Sequence, residues 1–335
     1  MKRFCYALIA GLMLASRLFA QAADKDPLLG NYVLGNSAEF VMLWSENQNS
    51  ADQQSFQKIY DFVNLNNPAM PDNLQPATRQ NQAGAAGIAG NRGMDAISGD
   101  FNGDSADDLI AVWEGLNRTI AMIIPQIDKG QLNWSSANAT TVAGAQLIDS
   151  APQTGRQMRL VSGHFDNDPS EEFVLAYWAA DKTVRLTVYD TNGSLTPQAK
   201  GAIADVALPV GDRDMVNRSA RFDVATGDLD GDGTDEIIIA AAEPVTSGCT
   251  GNLGCWSVYV KIYDYDAGSS QIIPQAIPKT QTTLFTKTDN SSRWLERVAV
   301  ATGDFDNDAI DEIAVGFEVA HNGSTHRWYL QTLEV

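Results

Sequence analysis

Five carboxylates stand within nine residues at Asp228-Leu229-Asp230-Gly231-Asp232-Gly233-Thr234-Asp235-Glu236. Acids at loop positions one, three, five and nine can converge on one point, and glycine lets the backbone turn tightly between them. Carboxylates crowded in this way repel one another unless a cation neutralises them. Hard oxygen donors in that number suit calcium. The plainer alternative is an acidic turn held by Asx-type hydrogen bonds.

The loop recurs. Asp100-Phe101-Asn102-Gly103-Asp104-Ser105-Ala106-Asp107-Asp108, His164-Phe165-Asp166-Asn167-Asp168-Pro169-Ser170-Glu171-Glu172 and Asp304-Phe305-Asp306-Asn307-Asp308-Ala309-Ile310-Asp311-Glu312 are copies, with starts 64, 64 and 76 residues apart. Together the four loops hold 18 of the 42 acidic residues, so the acid is placed at ligand spacing and is not merely a solvated surface. Each loop follows Ser-Gly or Thr-Gly (Ser98-Gly99, Ser162-Gly163, Thr226-Gly227, Thr302-Gly303). Position eight is acidic in every copy, and alternation along the chain turns it away from position nine, toward a solvated rim. After each loop comes an apolar run, such as Leu109 to Trp113, Phe173 to Tyr177, Ile237 to Ala241 and Ile313 to Phe317. Continuous apolar runs of this length, bounded by turns, read as strands buried on both faces. A shorter run precedes each loop, a third strand follows, and a more polar fourth strand closes the unit. No stretch keeps a helical period. A repeated four-stranded unit of this length reads as a propeller blade.

The Gly-Asp-Phe-Asn-Gly-Asp…Asp-Asp-Leu pattern resembles the FG-GAP/VCBS repeats of integrin α-subunit propellers and of many secreted bacterial proteins, over residues 94–335. The resemblance implies an all-β propeller in which positions one, three, five and nine give side-chain oxygens to calcium and position seven gives its carbonyl. That set is Asp100, Asn102, Asp104, Ala106 and Asp108 in the first loop. It is Asp228, Asp230, Asp232, Thr234 and Glu236 in the third, and Asp304, Asp306, Asp308, Ile310 and Glu312 in the fourth. The second loop offers Asp166, Asp168, Ser170 and Glu172, but starts on His164, a poor ligand for a hard cation, and carries Pro169. The family usually has Asp at position nine, where three of these loops have Glu. Three calcium sites are expected, and a fourth if the second loop fills. An EF-hand is excluded, because it closes on Glu at position twelve and runs into a helix.

A degenerate copy opens the repeat region. Ala38-Glu39-Phe40-Val41-Met42-Leu43-Trp44 aligns with Asp107 to Trp113, with Gly35-Asn36-Ser37 in place of the metal loop. The expected blades are 28–93, 94–156, 157–220, 221–296 and 297–335, the last short by a strand that the N-terminal segment could supply. Another blade number is the alternative. Residues 1–22 read as a secretory signal, with Lys2 and Arg3 before an apolar run and Ala20-Gln21-Ala22 as a cleavage site. A single propeller domain then covers 23–335, secreted or periplasmic, with no membrane insertion after cleavage. The net charge of −19 disfavours nucleic acid. In an oxidising compartment Cys249 and Cys255 are expected to form a disulfide across a hairpin, and no His or further Cys stands near them for zinc.

Enzyme chemistry is thin. His164, His321 and His326 are the only histidines, and no Gly-x-Ser-x-Gly or His-Glu-x-x-His motif occurs. Trp44, Trp113, Tyr177 and Phe317 share one point of the repeat and read as packing between blades, with a ligand-stacking ring as the alternative. Of Trp134, Trp178, Trp256, Trp294 and Trp328, those on loops are the better ligand contacts. The expected function is recognition or adhesion toward a protein or carbohydrate, with calcium structural. The alternatives are a polysaccharide lyase or hydrolase with its site in the propeller funnel, and a structural subunit of a larger assembly.

Overall fold

The computed structural model describes residues 27–30, 39–46, 54–61, 94–114, 120–128, 131–142, 158–179, 184–191, 193, 195–206, 222–245, 255–274, 283–287, 293–321 and 325–333. The described residues form five antiparallel sheets and no helix. The first sheet has β1 (Pro27–Gly30), β2 (Glu39–Glu46) and β3 (Gln54–Asp61). The second has β4 (Met94–Gly99), β5 (Asp108–Glu114), β6 (Ile120–Asp128) and β7 (Gln131–Thr141). The third has β8 (Met158–Gly163), β9 (Glu172–Trp178), β10 (Val184–Thr191) and β11 (Pro197–Val206). The fourth has β12 (Phe222–Gly227), β13 (Glu236–Val245), β14 (Cys255–Asp266) and β15 (Gln271–Pro274), and β16 (Thr283–Lys287) pairs with the other end of β14. The fifth has β17 (Arg293–Gly303), β18 (Glu312–His321) and β19 (Thr325–Leu333). Apart from β16, strands consecutive in a sheet's sequence are neighbours in space.

Period two decides how the sheets stack. Phe173, Leu175 and Tyr177 on β9 pack against Ile110 and Val112 of the second sheet. Val174, Ala176 and Trp178 point the other way and pack with Phe222, Ile237 and Ile239 of the fourth. Ile238 and Ala240 in turn meet Val298, Val300 and Val315 of the fifth. The second strands β5, β9 and β13 are therefore enclosed on both faces, and every residue of β9 is buried. This explains the unbroken apolar runs. Successive four-stranded sheets stacked face to face, first strand beside first strand, match the expected architecture of blades.

The first strands are tied by polar contacts that recur at the repeat spacing. Arg159 Nε on β8 donates to Asp223 Oδ1 on β12 at 2.7 Å, and the other Asp223 oxygen accepts from Val300 N on β17 at 3.1 Å. Asp95 Oδ2 on β4 accepts from Leu160 N at 2.9 Å. Asp95, Arg159 and Asp223 are each at least nine-tenths buried. A second ladder runs through hydroxyls: Thr302 donates to Thr226 O, Thr226 to Ser162 O, and Ser162 to Ser98 O. The Ser or Thr before each loop is thus a rung between sheets.

The longer third interval is an extended hairpin. Val245 on β13 still pairs with Cys255 on β14, and β14 is long enough to carry two outer partners. Cys249, and with it the expected disulfide, lies outside the described residues, as do residues 1–26. The fifth sheet starts at Arg293, a few residues before the expected boundary, and has three strands. Among the shared-phase aromatics, Tyr177 and Phe317 are buried. The side chains of Trp44 and Trp113 are outside the description. Trp178 is buried and stacks on Phe222 at 6.1 Å, so it belongs to the core and not to a ligand-facing loop. Trp328 is exposed on β19.

Asp223 holds two partners from two sheets, so Asp223→Ala leaves the Arg159 charge buried alone. The expected cost is about 3–5 kcal/mol in urea unfolding. A loss under about 1 kcal/mol would mean that this pair carries little of the link between sheets.

Candidate metal centres

Each acidic loop joins the first strand of a sheet to the second. In the first, third and fourth loops the position-one carboxylate gathers backbone donors. Asp100 accepts from Asp104 N and Ser105 N at 3.0 and 2.7 Å. Asp228 accepts from Gly231 N, Asp232 N and Gly233 N at 2.7–3.1 Å. Asp304 accepts from Asp308 N and Ala309 N at 3.0 and 3.2 Å. To bring those N–H groups inward, positions four and six take left-handed backbone. This holds for Gly103 and Ser105, Gly231 and Gly233, and Asn307 and Ala309. Glycine meets that requirement without cost; serine and alanine hold it under strain.

The second loop departs at both ends of this interaction. Pro169 has no N–H to donate at position six, and His164 has no carboxylate to receive one. The two departures compensate each other, and Asp166, Asp168 and Ser170 keep the remaining turns.

The middle positions are alike in all four. The position-five carboxylate accepts from the position-seven N–H: Ala106 to Asp104, Ser170 to Asp168, Thr234 to Asp232 and Ile310 to Asp308, all at 2.8–2.9 Å. Asn102 and Asp230 accept from position five at 2.9 and 3.2 Å.

Position nine closes the loop from the start of the second strand. One oxygen of Glu172, Glu236 or Glu312 accepts from the position-two N–H (Phe165, Leu229 or Phe305) at 2.6–2.8 Å. The other oxygen is the informative one. Asp108 Oδ2 and Glu172 Oε1 are buried with no hydrogen-bond partner among the described residues, and Glu172 is only 1% exposed. A buried carboxylate oxygen left unpaired costs free energy unless something charged meets it. Carboxylate oxygens of Asp304, Asp306, Asp308 and Glu312 lie within 4.8 Å of one another, as do those of Asp166, Asp168 and Glu172, and of Asp228, Asp230 and Glu236. The first loop, with Asn102 at position three, makes no such carboxylate group. The second loop therefore gathers three acids despite His164, and the third gathers three without the expected Asp232. The donor set, all oxygen with an orphaned buried member, fits a hard divalent cation.

Burial first, and the neighbouring loop acids next, raise position nine of the first three loops. Asp108 is pushed up to about 7. Glu172 and Glu236 are each pushed up to about 8.

Position eight is not the solvated rim that alternation suggests. Its main chain donates to the position-one carbonyl of the preceding loop: Glu171 N to Asp100 O at 2.9 Å, Asp235 N to His164 O at 2.7 Å and Asp311 N to Asp228 O at 2.8 Å. Asp235 Oδ2 also accepts from His164 N at 2.8 Å. The carboxylate then lies over the glycine before the preceding loop. A Cβ on Gly163 would stand 2.7 Å from Asp235 Oδ2, and one on Gly227 would stand 2.6 Å from Asp311 Oδ2. On Gly99 it would run into Glu171. The glycine and the acid are one device shared between adjacent sheets. The pairing of Ser/Thr-Gly with an acid one repeat later was the signal available in the sequence.

Position two is an apolar plug. Phe101, Phe165 and Leu229 are buried between their own sheet and the next, whereas Phe305 of the last loop is 53% exposed.

No protein-family profile and no curated protein sequence matches the chain. Solved structures of similar shape do. AofleA from Arthrobotrys oligospora is 12% identical, with a TM-score of 0.44, over 94% of this chain and 73% of that one. A variant of the Aleuria aurantia lectin AAL in complex with Fucalpha1-6GlcNAc is 7% identical, with a TM-score of 0.42, over 93% and 79%. Drosophila Semaphorin 2a is 11% identical, with a TM-score of 0.40, over 95% and 59%.

Two predictions follow from the loops. Gly163→Ala pushes a Cβ into Asp235 and is expected to cost about 1–3 kcal/mol in denaturant unfolding. Gly193→Ala, where a Cβ meets nothing within 4 Å, is the neutral control; equal effects of the two would refute the glycine–acid device. The second prediction concerns pH. Raised folded-state values mean that stability is full below the unfolded carboxylate value and is lost as pH rises through the folded one. With divalent cations removed, the melting temperature should fall between about pH 5 and pH 8, and a bound cation should flatten the profile by displacing the protons. A flat metal-free profile over that window would show that position nine does not carry this charge.

Proposed function

We propose that the chain is a secreted, calcium-stabilised β-propeller of the FG-GAP/VCBS kind that recognises a glycan or protein ligand through its loops. The observation that carries the metal reading is the orphaned, buried Oε1 of Glu172 beside the converging Asp166 and Asp168, with a like orphaned oxygen on Asp108 and like converging acids in the third and fourth loops. Asp108, Glu236, Glu312 and the acids before them would hold the ion, and Glu172 with Asp166 and Asp168 would do so in the second loop. Calcium supplies fixed positive charge there, and the turn between first and second strands keeps one shape. These ions are architectural, because each lies where two strands and a neighbouring loop meet.

The ring is read as five blades. Phe305 is exposed where Phe101, Phe165 and Leu229 are each covered by the following sheet. The five-blade reading sets the sheet of β1 to β3, whose β1 lies beside β4, against the last sheet as well. Recognition falls to residues that differ between copies, since the repeated ones are committed to turns and cores. Trp328 and Leu330, exposed on β19, are of that kind.

The test is thermal unfolding with and without chelator, followed by a glycan array in both conditions. Excess EDTA is expected to lower the melting temperature by roughly 10 °C or more, as loss of several sites filled well above Kd implies. An unchanged melting curve overturns structural calcium. Glycan or protein binding that is lost with EDTA and restored by calcium supports the recognition reading. No binding across glycan and protein arrays by calcium-loaded, folded protein overturns it.

A further inference from the structure

The second loop lacks the position-one carboxylate, yet the acid beside it on the next strand is in place to replace it. Asp190 on β10 stands one step beyond the Phe173–Tyr189 pair of the β9–β10 ladder, opposite Glu172. Glu172 is 1% exposed, and its Oε1 has no hydrogen-bond partner among the described residues. Asp190 Oδ1 is likewise buried and without a partner. Glu172 converges with Asp166 and Asp168, and Asp190, outside that group, bears on the charge of Glu172 from the adjacent strand, so the two unpaired oxygens repel one another unless a cation lies between them. The other oxygen of Asp190 is held by Lys200 Nζ of β11 at 2.6 Å. That ammonium is also near enough to Asp166 to feel its charge.

We propose that Asp190 is the missing carboxylate of the second loop, acting on a calcium ion directly or through a metal-bound water, and that Lys200 orients it and tunes the site. This rests on the calcium reading of the loops and deepens it. The arrangement has a counterpart one repeat later. Asp264 on β14 stands one step beyond the Ile237–Tyr263 pair, opposite Glu236, with Asp230 and Asp232 near enough to bear on its charge. In the third loop Asp228 is present at position one, so Asp264 is an addition there; in the second loop Asp190 is a replacement. Lys200 has a cost for the site as well as a use. Its positive charge partly neutralises the cluster, so the second loop should bind calcium more weakly than it would without the lysine.

The experiment titrates calcium into metal-stripped full-length protein by calorimetry, with bound ions counted by native mass spectrometry. The variants are Asp190→Asn, Lys200→Met and Glu172→Gln. Glu172→Gln should remove one ion and marks the second-loop site. Asp190→Asn should weaken that same site by about tenfold to a hundredfold, as loss of a ligand or of its supporting group does. Lys200→Met should tighten it by about threefold, the worth of one unit charge at several ångströms in a water-like dielectric. Circular dichroism confirms that each variant is folded; if Asp190→Asn is not, the gain from Lys200→Met decides. If Glu172→Gln loses an ion while Asp190→Asn and Lys200→Met match the parent, the role of Asp190 and Lys200 is overturned and the loop site stands. If the parent binds no calcium, the underlying reading fails instead.

Discussion

Each acidic loop after the first is fastened to the one before it by its eighth residue, and the stacking of the sheets depends on that clasp. The N–H of Glu171, Asp235 or Asp311 reaches the first carbonyl of the preceding loop, and the carboxylate covers the preceding glycine. The contact is possible only if the loop it grips has a fixed shape. The loop in turn owes its shape to carboxylates that draw backbone N–H groups inward. Local turn chemistry and the spacing between sheets are therefore one constraint, repeated at the interval of the blade.

That constraint concentrates negative charge. Backbone donors satisfy part of each carboxylate, but the second oxygens of Asp108 and Glu172 are left buried and bare. Below the sheets' loop ends the same strands are joined by neutral rungs of Ser and Thr and by the buried Arg159–Asp223 pair. The loops gather acids whose charge no described cationic side chain fully offsets. A cation would complete them and would make the fold's tightest junctions dependent on the ionic medium, as weak sites in extracellular modules are.

Much of this was legible in the sequence because it repeats. Strand order and the both-faces-buried second strand follow from apolar runs read in phase, and acid spacing anticipates a convergence of positions one, three, five and nine that only the fourth loop shows in full. What was not legible comes from contacts between copies. Position eight looked solvent-facing because alternation describes one strand, whereas its partner lies a repeat away. The glycine before each loop stood in the sequence only as a flank of the repeat, and before the first three loops it is steric room for a neighbour's carboxylate. His164 and Pro169 looked like two defects; they are matched losses of one acceptor and one donor. Trp178 was one of five tryptophans whose place on strand or loop stayed open, and β9 runs one residue past the apolar run and buries it against Phe222. Asp190 was invisible because only the ladder puts it opposite Glu172.

The central claim is that these turns are cation-filled, and counting the ions tests it most directly. Native mass spectrometry of the folded chain, exchanged into calcium at low ionic strength, gives a whole-number answer. The account predicts three or four calcium ions per chain, with one lost each time the acids of a single loop are neutralised. A folded chain that retains no calcium, or whose calcium count is indifferent to those acids, would contradict it.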